Sequence, residues 1–254
     1  MDARIAQVAQ TAKIDIRALR KTFKWLAVVA GIDLAVAPGE FVAIVGPSGC
    51  GKSTLMKLLA GFEHPDSGAV AIDGVPVTRP SPNAIVISQH GSVFPWLTVR
   101  ENLMFGLSGR DNAAKVATAD HYAEVVGLKG FEKAHPHELS GGMLKRVEIA
   151  RALAVKPDIL LMDEPFSALD ALTALKMRNE LLRILREERH TVILITHDVE
   201  EALYLADRVV VLSPRPTTIQ SVFTVAQPHP RKVSQPVLQQ IKEDILVQLG
   251  LQLD

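Results

Sequence analysis

The chain has 254 residues, 48% of them apolar and 22% charged, enough for one large globular domain or a core carrying an inserted subdomain. Lysine plus arginine and aspartate plus glutamate both number 28, so the formal net charge is zero and a whole-surface electrostatic footprint for nucleic acid is excluded. The single cysteine, Cys50, excludes an intrachain disulfide and suits a reducing compartment. No run reaches the roughly 18 apolar residues of a membrane span, because Asp33 interrupts the nearest, Leu26 to Ala37. The first dozen residues lack an apolar core behind a basic start, so a secretory signal is not indicated and the chain is expected in the cytoplasm.

From Ile14 to about Ala37, short apolar stretches with β-branched residues predict a small antiparallel layer, closed by the turn Pro38-Gly39-Glu40. The apolar run Phe41 to Val45 then predicts a buried strand. It leads into Gly46-Pro47-Ser48-Gly49-Cys50-Gly51-Lys52-Ser53-Thr54, and Leu55 to Ala60 reads as a helix ending at Gly61. Strand, G-x-x-x-x-G-K-[ST] and helix together match a phosphate-binding loop, whereas the same residues in a bare glycine-rich turn would mean nothing. Gly46, Gly49 and Gly51 let the backbone turn its N–H groups toward anionic oxygens. Lys52 supplies a mobile point charge, Ser53 a hydroxyl ligand for Mg²⁺, and Thr54 lies on the helix whose positive end faces the anion. The chain is therefore expected to handle a nucleoside triphosphate. Cys50 has two readings: a thiol activated at a helix N-terminus, or a position that only requires a small residue.

Downstream, Asp66-Ser67-Gly68 and Asp73-Gly74 frame a predicted hairpin around Ala69 to Ile72, and Ala84 to Ser88 is a buried strand followed by Gln89. From Thr98 to Val155 helical spacing dominates, with helices over Glu101 to Leu107, Asn112 to Val126 and Gly142 to Ala154, which predicts an inserted helical subdomain at about 95–155. Ser140-Gly141-Gly142 opens the last of these helices. Locally it is an N-cap and turn, but its N–H groups and hydroxyl also suit an anion, and a second copy of the chain would be the simplest source of that anion.

Ile159 to Met162 and Val192 to Ile195 are continuous apolar runs, as strands of a parallel sheet buried on both faces should be, with a helix from about Ala171 to Glu188 between them. Asp163 and Glu164 close the first run at its carboxyl end, where ligands bind in such sheets. Asp163 is the candidate Mg²⁺ ligand, directly or through water, and Glu164 the group that polarises the attacking water. His197 ends the second run and is placed to contact a γ-phosphate. Gln89, ending its own strand, can reach Mg²⁺ or the attacking water. Val209 to Leu212 adds a strand, and the proline-broken tail carries a last helix from about Pro236 to Leu249.

In this order and spacing, the loop at 46–54, Gln89, Leu139 to Met143, Ile159 to Glu164, Ser167-Ala168-Leu169-Asp170 and His197 resemble the ATP-binding subunit of an ABC transporter, over roughly residues 14–218. The resemblance implies a single ABC-type domain over 1–254: a P-loop α/β fold with a mainly parallel core sheet, an N-terminal antiparallel β layer, the helical subdomain, and a short C-terminal extension at about 219–254. It also implies ATP and Mg²⁺ as cofactors, with ATP held between the loop of one subunit and Ser140, Gly141 and Gly142 of another. Phe23 would stack on adenine, and Phe94 to Thr98 would lie beside the groove that receives a permease. The implied activity is ATP hydrolysis driving solute transport at the cytoplasmic face of the membrane. The implied partners are a second ATPase copy, permease subunits and, indirectly, a solute-binding protein, with no nucleic acid. Phe94-Pro95-Trp96-Leu97-Thr98-Val99, the Leu-Ser-Gly-Gly-Met turn and Leu212-Ser213-Pro214-Arg215-Pro216 are similar to importers of nitrate, sulfonate and taurine. Met143 and Lys145 depart from the residues frequent in the family. The alternative is a soluble ABC-type ATPase acting on nucleic acid or ribosomes, though the basic stripe or coiled-coil insertion expected of one is not found in the sequence.

Overall fold

A computed structural model of the chain describes residues 12–89, 91–109 and 111–251. In chain order the elements are β1 (Ile14–Phe23), β2 (Leu26–Val36), β3 (Phe41–Val45), α1 (Lys52–Leu59), β4 (Ser67–Ile72), β5 (Val75–Pro76), β6 (Ala84–Ile87), α2 (Val99–Met104), α3 (Asn112–Val125), α4 (Gly141–Ala154), β7 (Ile159–Asp163), α5 (Ala171–Glu188), β8 (Thr191–Ile195), α6 (Val199–Leu205), β9 (Arg208–Leu212), β10 (Ile219–Thr224) and α7 (Pro236–Gln248). They fall into two compact units. One runs up to Ala84 and resumes at Thr191, and the other is Ile85–His190.

The first unit holds two sheets. In one, β1 lies between β2 and β4, both antiparallel to it, with β5 beyond β4. Ile14, Ile16 and Leu19 of β1 are buried while their neighbours reach solvent, the alternation of a sheet with one wet face. In the other, the order is β10-β9-β3-β8. Strand β3 pairs in parallel with both β8 and β9, and all five of its residues and all five of β8 are buried, so continuous apolar runs are what this position requires. Helix α1 packs against β8, and α6 packs against β3 and α7.

In the second unit β6 and β7 are neighbours, and α2, α3 and α4 pack on one another. Helix α5 buries Ala174, Met177, Leu181, Leu182, Ile184 and Leu185, a stripe at three- and four-residue spacing, and its other face is charged. It begins at Asp170, whose carboxylate accepts the Thr173 N–H at 3.0 Å, and ends at Arg189 in the left-handed region with φ 56°.

Two elements were not expected from the sequence. Strand β10 breaks up the tail: its residues alternate between half-buried and exposed, and antiparallel pairing to β9 rather than local pattern holds it. Helix α6 has only seven residues, too few to show a period, and is set by the Asp198 cap on the Glu201 N–H. Helix α1 also starts three residues earlier than expected, at Lys52, which puts Lys52, Ser53 and Thr54 on its first turn. Among the described residues no helix is long and apolar enough to cross a membrane.

Candidate functional site

In the first unit the loop at 46–54 connects β3 to α1. Gly51 sits at φ 121° and ψ 14°, where side chains are rarely tolerated, and a Cβ there would lie 2.7 Å from Val28 Cγ1. A Cβ at Gly46 would lie 3.1 Å from both Cys50 Sγ and Leu212 Cβ, so the loop closes on itself only because no side chain is present. The Lys52 ammonium donates to the Gly46 and Pro47 carbonyls at 2.8 and 3.0 Å, folded over the loop it serves. Ser48, Gly49 and Ser53 are exposed, as a surface that meets a soluble anion must be.

His197 shares this edge. Ile44 pairs with Ile195 in parallel register, and both strands run on in the same direction, so Gly46 and His197 each lie two residues beyond that pair. His197 is exposed, while the preceding Thr196 is buried and its hydroxyl donates to the Glu201 carboxylate.

Cys50 is the reverse of an activated thiol. It is 2% exposed, and burial pushes the thiol above its ordinary range against the opposing pull of the Lys52 charge. Its carbonyl matters more, because it accepts the hydroxyl of Thr217, whose N–H donates to the Val28 carbonyl at 2.8 Å. Thr217, 1% exposed, thereby ties the phosphate loop to β2. Nothing in the sequence marks Thr217, since its partners are 167 and 189 positions away.

In the second unit Asp163 ends β7 and is 9% exposed. Glu164 follows at φ 49°, an uncommon conformation for a non-glycine residue, and the Ser167 hydroxyl donates to its carbonyl at 2.9 Å. The structure brings Gln89 to it: Gln89 Nε2 donates to Glu164 Oε2 at 3.1 Å. The amide that can ligate a cation and the carboxylate that can take a proton from water therefore touch.

Ser140 caps α4, its hydroxyl accepting the Met143 N–H at 3.3 Å, and Ser140 and Gly141 are exposed. Gly142 faces Ala168 and Leu169, which a Cβ would meet at 3.4 and 3.3 Å. The capping reading of this turn is therefore realised, with Ser140 and Gly141 at the surface. Phe23 lies at the end of β1, 41% exposed under the Lys21 ammonium at 5.1 Å, so it is a surface aromatic and not a core one; Trp25 is 86% exposed. A cavity of 640 Å³ beside Arg146, Thr173 and Met177 contains none of the candidate residues.

Phe94 to Thr98 is held by buried Asn102, which accepts the Phe94 N–H and donates to the Phe94, Leu97 and Thr98 carbonyls at 3.0 to 3.1 Å. The Phe94 ring lies tilted against those of Trp96 and Phe105, which are 69% and 66% exposed.

The ABC transporter family profile matches residues 29–167. The nitrate import ATP-binding protein NrtD of Synechocystis sp. is 50% identical over 199 residues, 78% of this chain and 75% of that protein. The aliphatic sulfonates import ATP-binding protein SsuB of Bacillus subtilis is 44% identical over 219 residues, 86% of each. Among solved structures, the dimeric form of MJ0796, described as a bacterial ABC transporter cassette, aligns at 29% identity with a TM-score of 0.77, covering 85% of this chain and 100% of that one. The same cassette is solved in a post-hydrolysis state bound to ADP and Pi.

Proposed function

This chain belongs to the ABC transporter family, and on that premise we propose that it is the ATP-hydrolysing subunit of an importer for a small anionic or organic solute such as nitrate, sulfonate or taurine. The observation that carries the chemistry is the Gln89–Glu164 contact beside Asp163, in a chain whose phosphate loop shares a sheet edge with His197. The loop N–H groups receive the triphosphate, and Lys52 exchanges the Gly46 and Pro47 carbonyls for phosphate oxygens. His197 donates to the terminal phosphate. Glu164 accepts a proton from the attacking water, and Gln89 aligns that water.

The hydroxyl of Ser53, the carboxylate of Asp163 and the amide oxygen of Gln89 are hard oxygen donors of the kind Mg²⁺ takes, so these residues would hold it. When bound it supplies charge neutralisation to the phosphate oxygens.

Ser140, Gly141 and Gly142 complete the site of a second copy, so that ATP favours a closed dimer and hydrolysis releases it. Phe23 stacks on the adenine ring. The Phe94–Thr98 segment receives a permease at the cytoplasmic face of the membrane, where the chain is peripheral. The relatives reported above are import ATP-binding proteins, so the non-membrane alternative is set aside.

Replacing Glu164 with Gln tests this. ATP binding is retained and ATP-bound dimers accumulate, while turnover falls by roughly 10²- to 10⁴-fold with loss of the base. Normal turnover in that variant removes Glu164 from the catalytic role.

A further inference from the structure

Helix α4 carries Lys145, Glu148 and Arg151 at three-residue spacing, hence on one face. All three reach the segment that contains Gln89. Lys145 Nζ donates to the Ser88 carbonyl at 2.5 Å, Glu148 Oε1 accepts the Ser92 N–H, and Arg151 Nη2 donates to Ser92 Oγ at 2.6 Å. Arg151 also lies over the Phe94 ring at 4.9 Å. Lys145 and Glu148 are 4% and 3% exposed and face each other as an ion pair at 3.1 Å, through a Glu148 oxygen outside hydrogen-bonding alignment.

A buried ion pair is a poor way to gain stability, because desolvation offsets the attraction and an apolar pair of the same volume is often as good or better. What this pair does that an apolar pair cannot is hold backbone. The Ser88 carbonyl belongs to the peptide group that joins Ser88 to Gln89, so Lys145 fixes the plane from which Gln89 departs. Glu148 and Arg151 fix the chain three residues later. Gln89 itself is exposed, and its own side-chain contact is the bond to Glu164.

We propose that Lys145 and Glu148 are positioning residues: the buried pair on the helix that starts at Ser140 sets the placement of Gln89, and through it the alignment of the hydrolytic water. This rests on the role given above to Gln89 and extends it to two buried residues that grip the backbone on either side of it. Lys145, one of the two departures from the family's frequent residues, is thus matched in this chain by a carboxylate one turn further along α4.

The experiment uses the full chain with Lys145→Met, Glu148→Met, the two combined, Lys145→Arg, and each on a Gln89→Ala background. Each single methionine variant strands the other charge of the buried pair and melts lower, whereas the combined variant removes both and regains part of the lost melting temperature, Arg151 losing the Glu148 charge beside it. Turnover is expected to stay down in the combined variant by roughly 10- to 100-fold, the usual cost of removing an outer support of a catalytic ligand, with ATP affinity unchanged. In the nucleotide-free protein its Ser92 amide exchanges hydrogen faster than in wild type. Lys145→Arg restores turnover, and adding Gln89→Ala to the combined variant costs nothing more. Recovery of turnover along with melting temperature, or full additivity with Gln89→Ala, overturns the proposal and leaves the pair merely structural. Wild-type turnover in Gln89→Ala alone overturns instead the role given to Gln89.

Discussion

Gly51→Ala is the most direct probe of the phosphate loop. The new methyl meets two penalties. At φ 121° an L-residue is held where it rarely sits, which costs about 1–3 kcal/mol. Its Cβ would also lie 2.7 Å from Val28 Cγ1. Carbon atoms rest about 3.5–4.0 Å apart, so the loop or β2 must give by about 1 Å. Val28 is 5% exposed inside a paired strand and cannot swing into solvent, which makes this an overpacking cost of about 1–3 kcal/mol. The sum, about 2–6 kcal/mol, lowers the melting temperature of a chain this size by roughly 5–20 °C. The assay is thermal unfolding without nucleotide, so that loss of ligand stabilisation does not enter. Val28→Ala removes the overlap and leaves the backbone penalty, so the double variant is less destabilised than the two singles added together, by about 1–3 kcal/mol. A Gly51→Ala protein that melts within about 1 °C of wild type, or strict additivity with Val28→Ala, refutes the reasoning.

Thr217→Val keeps the shape of the side chain and removes the donor to the Cys50 carbonyl; about 1–2 kcal/mol of stability is lost and nucleotide titration shows weaker ATP binding, and no change in either quantity removes Thr217 as a brace. A thiol reagent labels Cys50 much more slowly in the native protein than in denaturant, because the thiol is buried and held protonated; native labelling at the denatured rate contradicts that burial. Glu188 has an acid-range signature. Burial works to raise its pKa, but Lys156 at 2.6 Å and His190 at 2.9 Å outweigh burial and leave it below the usual carboxylate range. Since the folded value lies below the unfolded one, the stabilisation is present above the unfolded pKa and is lost as pH falls through the folded one. Wild type therefore melts above Glu188→Gln at about pH 7, and the gap closes toward about pH 3; a gap independent of pH rules the assignment out.

The phosphate loop could be read from the chain because its chemistry is contiguous: glycines, lysine and hydroxyl are neighbours in sequence on the one turn between β3 and α1. The strands β3, β7, β8 and β9 were equally legible, since burial on both faces demands an uninterrupted apolar run, and Asp163, Glu164 and His197 could be named because each ends such a run. Gln89 was named on the same ground and the Ser140 turn from a serine and glycines before a helix; resemblance added their order and spacing, and with them Phe23 and the 94–98 segment.

What tertiary structure alone decided are the contacts between residues distant in sequence. The register that sets Ile44 beside Ile195, and so His197 beside the loop, depends on which strands pair. The exposure of Phe23, the brace from Thr217, and the grip of Lys145 and Glu148 on either side of Gln89 have no local signature, because each partner was selected by folding and not by spacing. Cys50 shows the difference most plainly. Its place before a helix suggests a lowered thiol pKa, yet desolvation by residues that fold around it raises the value, because the cost of burying a charge exceeds what the Lys52 ammonium nearby returns.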